Sequence, residues 1–431
     1  MLDVVARHCC AFFACGVLLC TLLAPSPGFA LSTNIELEAI ARGFERDIPA
    51  KGEERVLPGY GYLKFDLKDI TSNGISFHGY GWGRYDMGDS KFFDATGDGE
   101  LLYGYLEYRR KFSTLHLRLG RQHLFEGVAN ETLDGLWVAG DISKRISLSV
   151  YGGQPVALSG LNARSGDSLY GGRVAYHGAD LFDLGLSYKM SENDSNTADS
   201  MAGLDLSLAL PKDMALYGYS KLNVEESGFA EHSWELRIPF DSLTLKPYLQ
   251  FYDYDNYFAT GDKATLPFRN LARSGESLGI AGVDAFWRTS ESLNLGAKGK
   301  YYTYDQNDSS KYLALTFNLI GEEHTQTGGE IGYMLGDAAN NDYLMLRLYT
   351  YQDQLADKFW FGFVSADAVY VRYDKQINDK DSSLFLSLGT GKRFLSDRLE
   401  VKLSGDYSAD PFYSSDIRAM LSATYAFGGG L

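Results

Sequence analysis

The amino-acid sequence predicts an all-β protein, a transmembrane, antiparallel, up-and-down β-barrel of about 22 strands, within a range of about 20–22. Three observations lead to this expectation. The 431 residues include 47 Gly and 30 Tyr against only 10 Pro, and mean hydropathy is −0.21, so no stretch after residue 30 could form a spanning helix. Short segments that alternate apolar and polar residues follow one another along the chain. The connections between these segments alternate between short and long.

Residues 1–30 have the layout of a secretory signal peptide. Arg7 precedes the apolar run AFFACGVLLCTLLA, and Gly28 and Ala30 provide small residues at the expected cleavage positions. The run is shorter than the ~20 apolar residues that a spanning helix needs. We therefore expect a signal peptide over 1–30 and a single barrel domain over 31–431. All four cysteines lie within 1–30, which predicts a mature chain without disulfides, thiolate metal sites or covalently attached haem.

Twenty-two segments show the period of two that marks a β-strand. In the first half they cover 33–46, 57–70, 74–87, 99–110, 113–121, 132–141, 145–153, 168–177, 182–190 and 201–210. In the second half they cover 214–222, 231–239, 243–254, 277–288, 292–304, 311–319, 328–336, 342–352, 358–372, 383–393, 398–407 and 416–427. The segment 33–46 is weakly patterned, but the strand number is even only if it forms a strand. Both termini then lie at the same end of the barrel.

The connections fall into two sets. One set is tight, with turn-forming residues, as in ITSNGI, ISKRI, LPKDM, PFDSL and FLSDRL. The other set is longer and acidic, as in MGDSKFFDATGDGE, SENDSNTADS, DKQINDKDS and SADPFYSSD. Short periplasmic turns at one end and longer extracellular loops at the other are typical of bacterial outer-membrane barrels.

Each segment has an apolar and a polar face. In SLTLKPYLQFYDY (242–254), Leu243, Leu245 and Leu249 alternate with residues such as Lys246. Packing the leucine faces inward would require sandwiches or propeller blades, and we find no internal repeat of that kind. Turning them toward lipid gives strands of about 10 residues, the length that a tilted spanning strand needs, and closure of the sheet satisfies the backbone. We therefore predict that the leucine faces contact lipid.

The faces opposite the leucines are rich in basic residues, which we expect to line the lumen. The candidates are Lys64, Arg84, Arg109, Arg118, Arg237, Lys246, Lys298, Lys300, Arg347 and Arg418. Such residues favour anions in a pore. The alternative is that they are paired with acidic residues on neighbouring strands, as in any polar barrel interior. Aromatic residues near the segment ends, including Tyr60, Trp82, Trp137, Trp287 and Trp360, are expected either in the interfacial girdles or in ordinary strand packing.

The last segment resembles the C-terminal signal of outer-membrane barrels, which has the form polar-x-Gly-x-x-aromatic-x-aromatic. In MLSATYAFGGGL the match is carried by Tyr425 and Phe427, whereas Met420 and Ser422 depart from the pattern and Gly428–Leu431 extend beyond it. With the signal peptide and the alternation, the chain resembles a porin-type outer-membrane protein. The resemblance implies location in the outer membrane, contact with its lipid, and Tyr425 and Phe427 as an assembly signal for the barrel-assembly machinery.

Two functions fit such a barrel. The first is a porin-like channel for small hydrophilic solutes, with anions favoured by the basic faces. The second follows from a similarity in architecture to porin-cytochrome complexes, in which a barrel seats a separate multihaem c-type cytochrome and contributes to extracellular electron transfer. In that case the haem belongs to periplasmic and extracellular cytochrome partners, since we expect no cofactor, catalytic residue or metal ligand in this chain. Nothing in the sequence indicates an enzyme or nucleic-acid binding.

Size limits what fills the lumen. The mature chain leaves about 180 residues for connections and tails, which is too few for a plug domain. The longest connection, about 255–276, is the segment that the sequence offers for narrowing the passage.

Overall fold

The computed structural model describes residues 32–48, 52–71, 74–88, 93, 95–109, 114–156, 166–193, 196–257, 276–305, 308–322, 325–336, 342–353, 362–412 and 415–430. The predicted signal peptide (1–30) and most of the connection 255–276 lie outside the described residues. Among the described residues, no helix has the length and hydropathy needed to cross a bilayer.

The strands form one antiparallel sheet of 23 segments. In the first half they are β1 (Ser32–Ile48), β2 (Gly52–Val56), β3 (Pro58–Lys68), β4 (Ile75–Asp86), β5 (Gly97–Arg109), β6 (His116–His123), β7 (Thr132–Ser143), β8 (Ile146–Pro155), β9 (Ser168–His177), β10 (Phe182–Asn193) and β11 (Asn196–Leu210). In the second half they are β12 (Met214–Asn223), β13 (Gly228–Phe240), β14 (Leu243–Asp253), β15 (Ser277–Arg288), β16 (Leu293–Tyr304), β17 (Ser310–Ile320), β18 (Gln326–Leu335), β19 (Tyr343–Asp353), β20 (Phe363–Ile377), β21 (Lys380–Phe394), β22 (Leu399–Ala409) and β23 (Asp416–Gly430). A four-residue helix, α1 (Tyr254–Tyr257), follows β14.

The sheet closes into a cylinder. Segments β2 and β3 both pair with β1 and are separated only by Leu57, so they count as one spanning strand and the barrel has 22. The other edge of β1 pairs with β23, with Ile35 opposite Phe427. The weakly patterned first segment is therefore a strand that closes the barrel, and the predicted fold class is confirmed. Closure leaves no unpaired sheet edge within the bilayer.

The two ends of the barrel differ as the connections predict. Ser32 lies opposite Gly430, so both ends of the described chain lie at the end that carries short connections such as 211–213, 241–242 and 395–398. We call this the turn end. The strand ends that flank residues 87–96, 156–167 and 254–276 lie at the opposite end, which we call the loop end.

Two stretches expected as loops are instead mostly strand. In SENDSNTADS, β10 runs to Asn193 and β11 resumes at Asn196. In DKQINDKDS, Ile377 pairs with Lys380 across a two-residue turn. The turn residues Asn378 and Asp379 have φ of 48° and 62°, the left-handed conformation that two-residue hairpin turns require and that Asn and Asp tolerate. An acidic stretch at the loop end can therefore be part of a β-hairpin as well as an irregular loop.

Candidate functional site: the lumen of the barrel

The wall of the barrel has an apolar and a polar face, which is clearest on β17, β18 and β19. Leu315, Ile331 and Leu346 lie opposite one another in the strand register, and all three are exposed. The neighbouring register row consists of Thr316, Glu330 and Arg347. Because side chains alternate between faces, the two rows point to opposite sides of the sheet.

The segment 124–131 between β6 and β7 identifies the polar face as the inner one. We call this segment the strap. It is a hairpin tip, since Leu124 pairs with Glu131 and Glu126 with Ala129 through backbone hydrogen bonds. The backbone N–H of Val128 donates to Oγ of Ser187 on β10 at 3.1 Å. A tip of eight residues that begins between β6 and β7 reaches β10 by crossing the concave side of the wall.

Polar contacts fix the strap to the wall. Glu126 accepts hydrogen bonds from Nε1 of Trp137 at 3.0 Å and from Oγ of Ser149 at 2.7 Å. At the base of the strap, Nζ of Lys189 lies 2.5 Å from Glu131 and 2.5 Å from Asp199. Lys189 is buried, and a buried ammonium group is stable only with such partners.

Apolar contacts also hold the strap. Val128 at its tip is buried with Met201 of β11 and Ala230 of β13. A second buried cluster, at its base, consists of Leu124, Ala129, Leu133, Trp137, Tyr151 and Leu169. Both clusters lie where the strap meets the inner wall.

Two glycines allow the close approach of the strap. A Cβ atom on Gly203 of β11 would lie 2.4 Å from Cγ1 of Val128. Gly127 has φ of +61°, and a Cβ there would lie 2.2 Å from Oγ of Ser187. Any other residue at either position would push the tip away from the wall.

The ten basic residues predicted to line the lumen lie on the polar face by strand register. Seven of them are within ion-pair distance of an acidic side chain: Arg84, Arg109, Arg118, Lys246, Lys298, Arg347 and Arg418. For example, Arg347 binds both carboxylate oxygens of Asp367, at 3.1 and 2.6 Å. Within the described ranges, Lys64, Arg237 and Lys300 have no ion-pair partner.

The structure adds acidic residues to this face that the sequence did not single out. Glu330 accepts from Nζ of Lys298 at 2.7 Å and from the hydroxyl of Tyr312 at 2.6 Å. Asp367 and Asp416 pair with Arg347 and Arg418. Glu330 lies in GGEIG, where glycines obscure the alternation that would have placed it. The excess of basic residues on the inner face is therefore smaller than the sequence suggested.

A histidine-carboxylate cluster occupies the inner face of β3 to β6. Nδ1 of His78 lies 2.6 Å from Asp66, and Nε2 of His116 lies 2.7 Å from Glu107. Arg118 also contacts Glu107, at 3.3 Å. Within the part of the chain that the structure describes, no group of three His, Cys, Asp or Glu side chains is arranged to hold a metal ion.

The aromatic residues divide between the two faces. Tyr60, Trp82 and Trp137 lie on the inner face, so the girdle interpretation is wrong for them, and they pack against lumen side chains. Trp287 is 50% exposed on the outer face near the turn end, as a girdle residue would be. Trp360 lies outside the described residues.

The two residues of the proposed assembly signal lie on the outer face of the closing strand. Tyr425 lies opposite Leu37 of β1 and Leu399 of β22, and Phe427 lies opposite Ile35. Both therefore point away from the lumen, among apolar neighbours. Their role in assembly remains a prediction.

No protein-family model matches the chain. No curated protein matches it either. Among solved structures, the chain is similar to Pseudomonas aeruginosa OpdK with vanillate, at 12% identity and a TM-score of 0.46, over 93% of this chain and 100% of that one. It is similar to Acinetobacter baumannii OccAB4, at 10% identity and a TM-score of 0.47, over 94% and 100% of the two chains. It is also similar to Pseudomonas aeruginosa OpdQ, at 12% identity and a TM-score of 0.44, over 92% and 99%.

The class of the protein follows from its own strand pairing and from its two faces. A closed 22-strand sheet with an apolar outer belt and a polar, charged interior is a transmembrane β-barrel.

Proposed function

We propose that this protein lies in the outer membrane and forms a water-filled passage for small hydrophilic solutes, narrowed by the strap. The observation that carries the proposal is the strap itself, which is folded against the inner wall of a 22-strand barrel. Barrels of this size enclose a lumen wide enough for water and solutes, and their selectivity depends on what narrows it. Outer-membrane lipid around the belt and the barrel-assembly machinery acting on β23 are the partners that this function needs.

The strap also favours the channel over a sleeve for a multihaem cytochrome. A protein threaded through the barrel would need the cross-section that the strap takes, and the polar and apolar contacts at Glu126, Val128 and Lys189 would have to be broken. We therefore propose that the chain acts without a bound cytochrome and without a cofactor of its own.

The test is the current carried by the purified protein in a planar lipid bilayer. We expect stable, ion-conducting steps from the chain alone, and no haem staining of material purified in mild detergent. Absence of conductance from correctly folded barrel, or stoichiometric co-purification of a haem protein, would contradict the proposal.

Ion preference should depend on Lys64 and Lys300, two side chains for which the described part of the barrel provides no ion-pair partner. Replacing Lys64 or Lys300 by Glu places a negative charge in the lumen, and we expect the anion-to-cation permeability ratio to fall by about twofold or more. The reversal potential in a salt gradient measures this ratio.

The matched control is Lys311→Glu, which changes net charge equally. Lys311 lies opposite Tyr301 on the outer face, and it is exposed. We expect its reversal potential to match that of the unmodified protein. Equal shifts of the reversal potential in Lys300→Glu and Lys311→Glu would show that the position of Lys300 in the lumen does not determine ion preference.

A further inference from the structure

A continuous row of tyrosines lies on the inner face of β3, β4 and β5. Centroid distances between successive rings are 6.4 Å from Tyr60 to Tyr62, 6.3 Å to Tyr80, 5.6 Å to Tyr103 and 5.9 Å to Tyr105. We call these five residues the tyrosine row. Tyr60 is near the loop end of β3, and Tyr105 is near the turn end of β5, so the row runs along the direction of transport.

The rings of the row are accessible from the lumen. All five tyrosines are partly exposed, and the strap contacts the wall at β7 to β13 instead. In the described part of the chain, no hydrogen-bond partner is found for any of their five hydroxyls. Two lumen tyrosines outside the row have acidic partners, since Tyr312 donates to Glu330 at 2.6 Å and Tyr219 donates to Glu231 at 2.5 Å.

Charged groups of both signs accompany the row. Glu38 lies opposite Tyr62 and Lys64 lies opposite Tyr80 in the strand register. At its two ends, the guanidinium groups of Arg42 and Arg118 lie 5.6 Å from the ring centroids of Tyr60 and Tyr105. Arg118 also covers Trp137 at 4.8 Å, and Trp137 donates to Glu126 of the strap. The end of the row at Tyr105 therefore adjoins the strap.

We propose that the tyrosine row is a sliding surface for saccharides, which deepens the proposed channel function and rests on it. A sugar ring presents C–H groups on its faces and hydroxyls around its edge. The C–H groups pack on the electron-rich faces of aromatic rings, while the free tyrosine hydroxyls and the flanking charges exchange hydrogen bonds with the sugar hydroxyls. Successive rings are close enough for a saccharide to contact the next face before leaving the last.

A neutral solute fits this surface better than an anion. Glu36, Glu38 and Asp66 share the inner face with the row, and their charges oppose those of Lys64, Arg42 and Arg118, so a carboxylate gains no net attraction. A neutral polyhydroxylated ring uses both acceptors and donors. Because the solute is held by hydrogen bonds at several weakly binding positions and not in one deep pocket, it can also leave the channel.

The test is block of the ionic current by maltohexaose. The protein is first reconstituted in a planar bilayer and its conductance in potassium chloride is recorded, which tests the channel function by itself. Maltohexaose is then added, and we expect a saturable reduction of the current. In the double variant Tyr80→Ala and Tyr103→Ala, we expect the half-blocking concentration to rise about tenfold or more, while conductance is retained.

Two further variants make the result specific. Tyr103→Phe keeps the ring and should keep the block, because the ring face carries the contact. The control double variant Tyr302→Ala and Tyr349→Ala removes two tyrosines from the inner face outside the row, and it should also keep the block.

Each outcome has one meaning. A conducting protein that maltohexaose does not block overturns the sliding surface but leaves the channel intact, whereas a folded protein that does not conduct overturns the channel function itself. Equal loss of block in the row variant and in the control variant overturns the assignment to the row. Block by benzoate without block by maltohexaose overturns the choice of saccharides.

Discussion

Replacing Glu126–Ala129 at the tip of the strap by two glycines should raise the single-channel conductance by about twofold or more. The exchange removes the Val128 contact with Met201 and Ala230 and the two hydrogen bonds accepted by Glu126. The strap then no longer projects along the inner wall, and the narrowest cross-section of the lumen increases. Single-channel recordings measure the change, and larger neutral polymers should enter the lumen in the same experiments.

The matched control is the same four-to-two exchange in the connection Val224–Ser227, which lies at the same end of the barrel but between β12 and β13. We expect the conductance of this variant to equal that of the unmodified protein. Gly203→Val provides a second test without a deletion, because its side chain would occupy the space of Val128 and displace the tip. Unchanged conductance in both strap variants would show that the strap does not define the narrowest part of the passage.

Leu315→Arg should lower the free energy of unfolding in lipid by about 2–4 kcal/mol, the cost of an arginine facing the middle of a bilayer. Leu315 is at the centre of β17 and 62% exposed on the outer face, with Ile331 beside it. Thr316→Arg is the matched control one residue away. Thr316 lies opposite Glu330 on the inner face, where an added guanidinium meets water and a carboxylate. Urea titration of the barrel refolded in lipid vesicles measures both variants.

We expect Thr316→Arg to change the free energy of unfolding by less than about 1 kcal/mol, within the range for exposed polar positions. If both variants were destabilised equally, the face on which the arginine lies would not determine the loss in the free energy of unfolding. If Thr316→Arg alone were destabilised, the assignment of the two faces would be reversed.

Much of the architecture could be predicted because two local signals add up along the chain. Alternation is strong wherever leucines occupy every second position, as at Leu315 on β17, and it places strand, face and register together. Turn residues then mark the ends. The signal is weak in β1, yet strand parity required that segment, and its pairing with β23 confirms it.

The interior was harder to predict because it depends on contacts between distant residues. The strap has no distinctive composition, and its position depends on Ser187, Gly203 and Ala230, which are 59 or more residues away from Val128 in the chain. The ion pairs of the lumen likewise join residues that are separated in the chain. Arg347 and Asp367 are on separate strands, and only the register places them together. Aromatic residues such as Trp82 and Trp137 suit a girdle or a lumen equally well by type, and only their parity distinguishes the two.

The central claim is that the leucine faces meet lipid and the charged faces meet water in a closed cylinder. Cysteine labelling in intact membranes tests it most directly, since all four native cysteines lie within residues 1–30. Single cysteines at Lys246 and Arg347 should react with a membrane-impermeant maleimide, whereas those at Leu245, Leu346 and Leu421 should react only after the barrel is unfolded in denaturant. Labelling of the three leucine positions from water, with the Lys246 and Arg347 positions protected, would contradict the account.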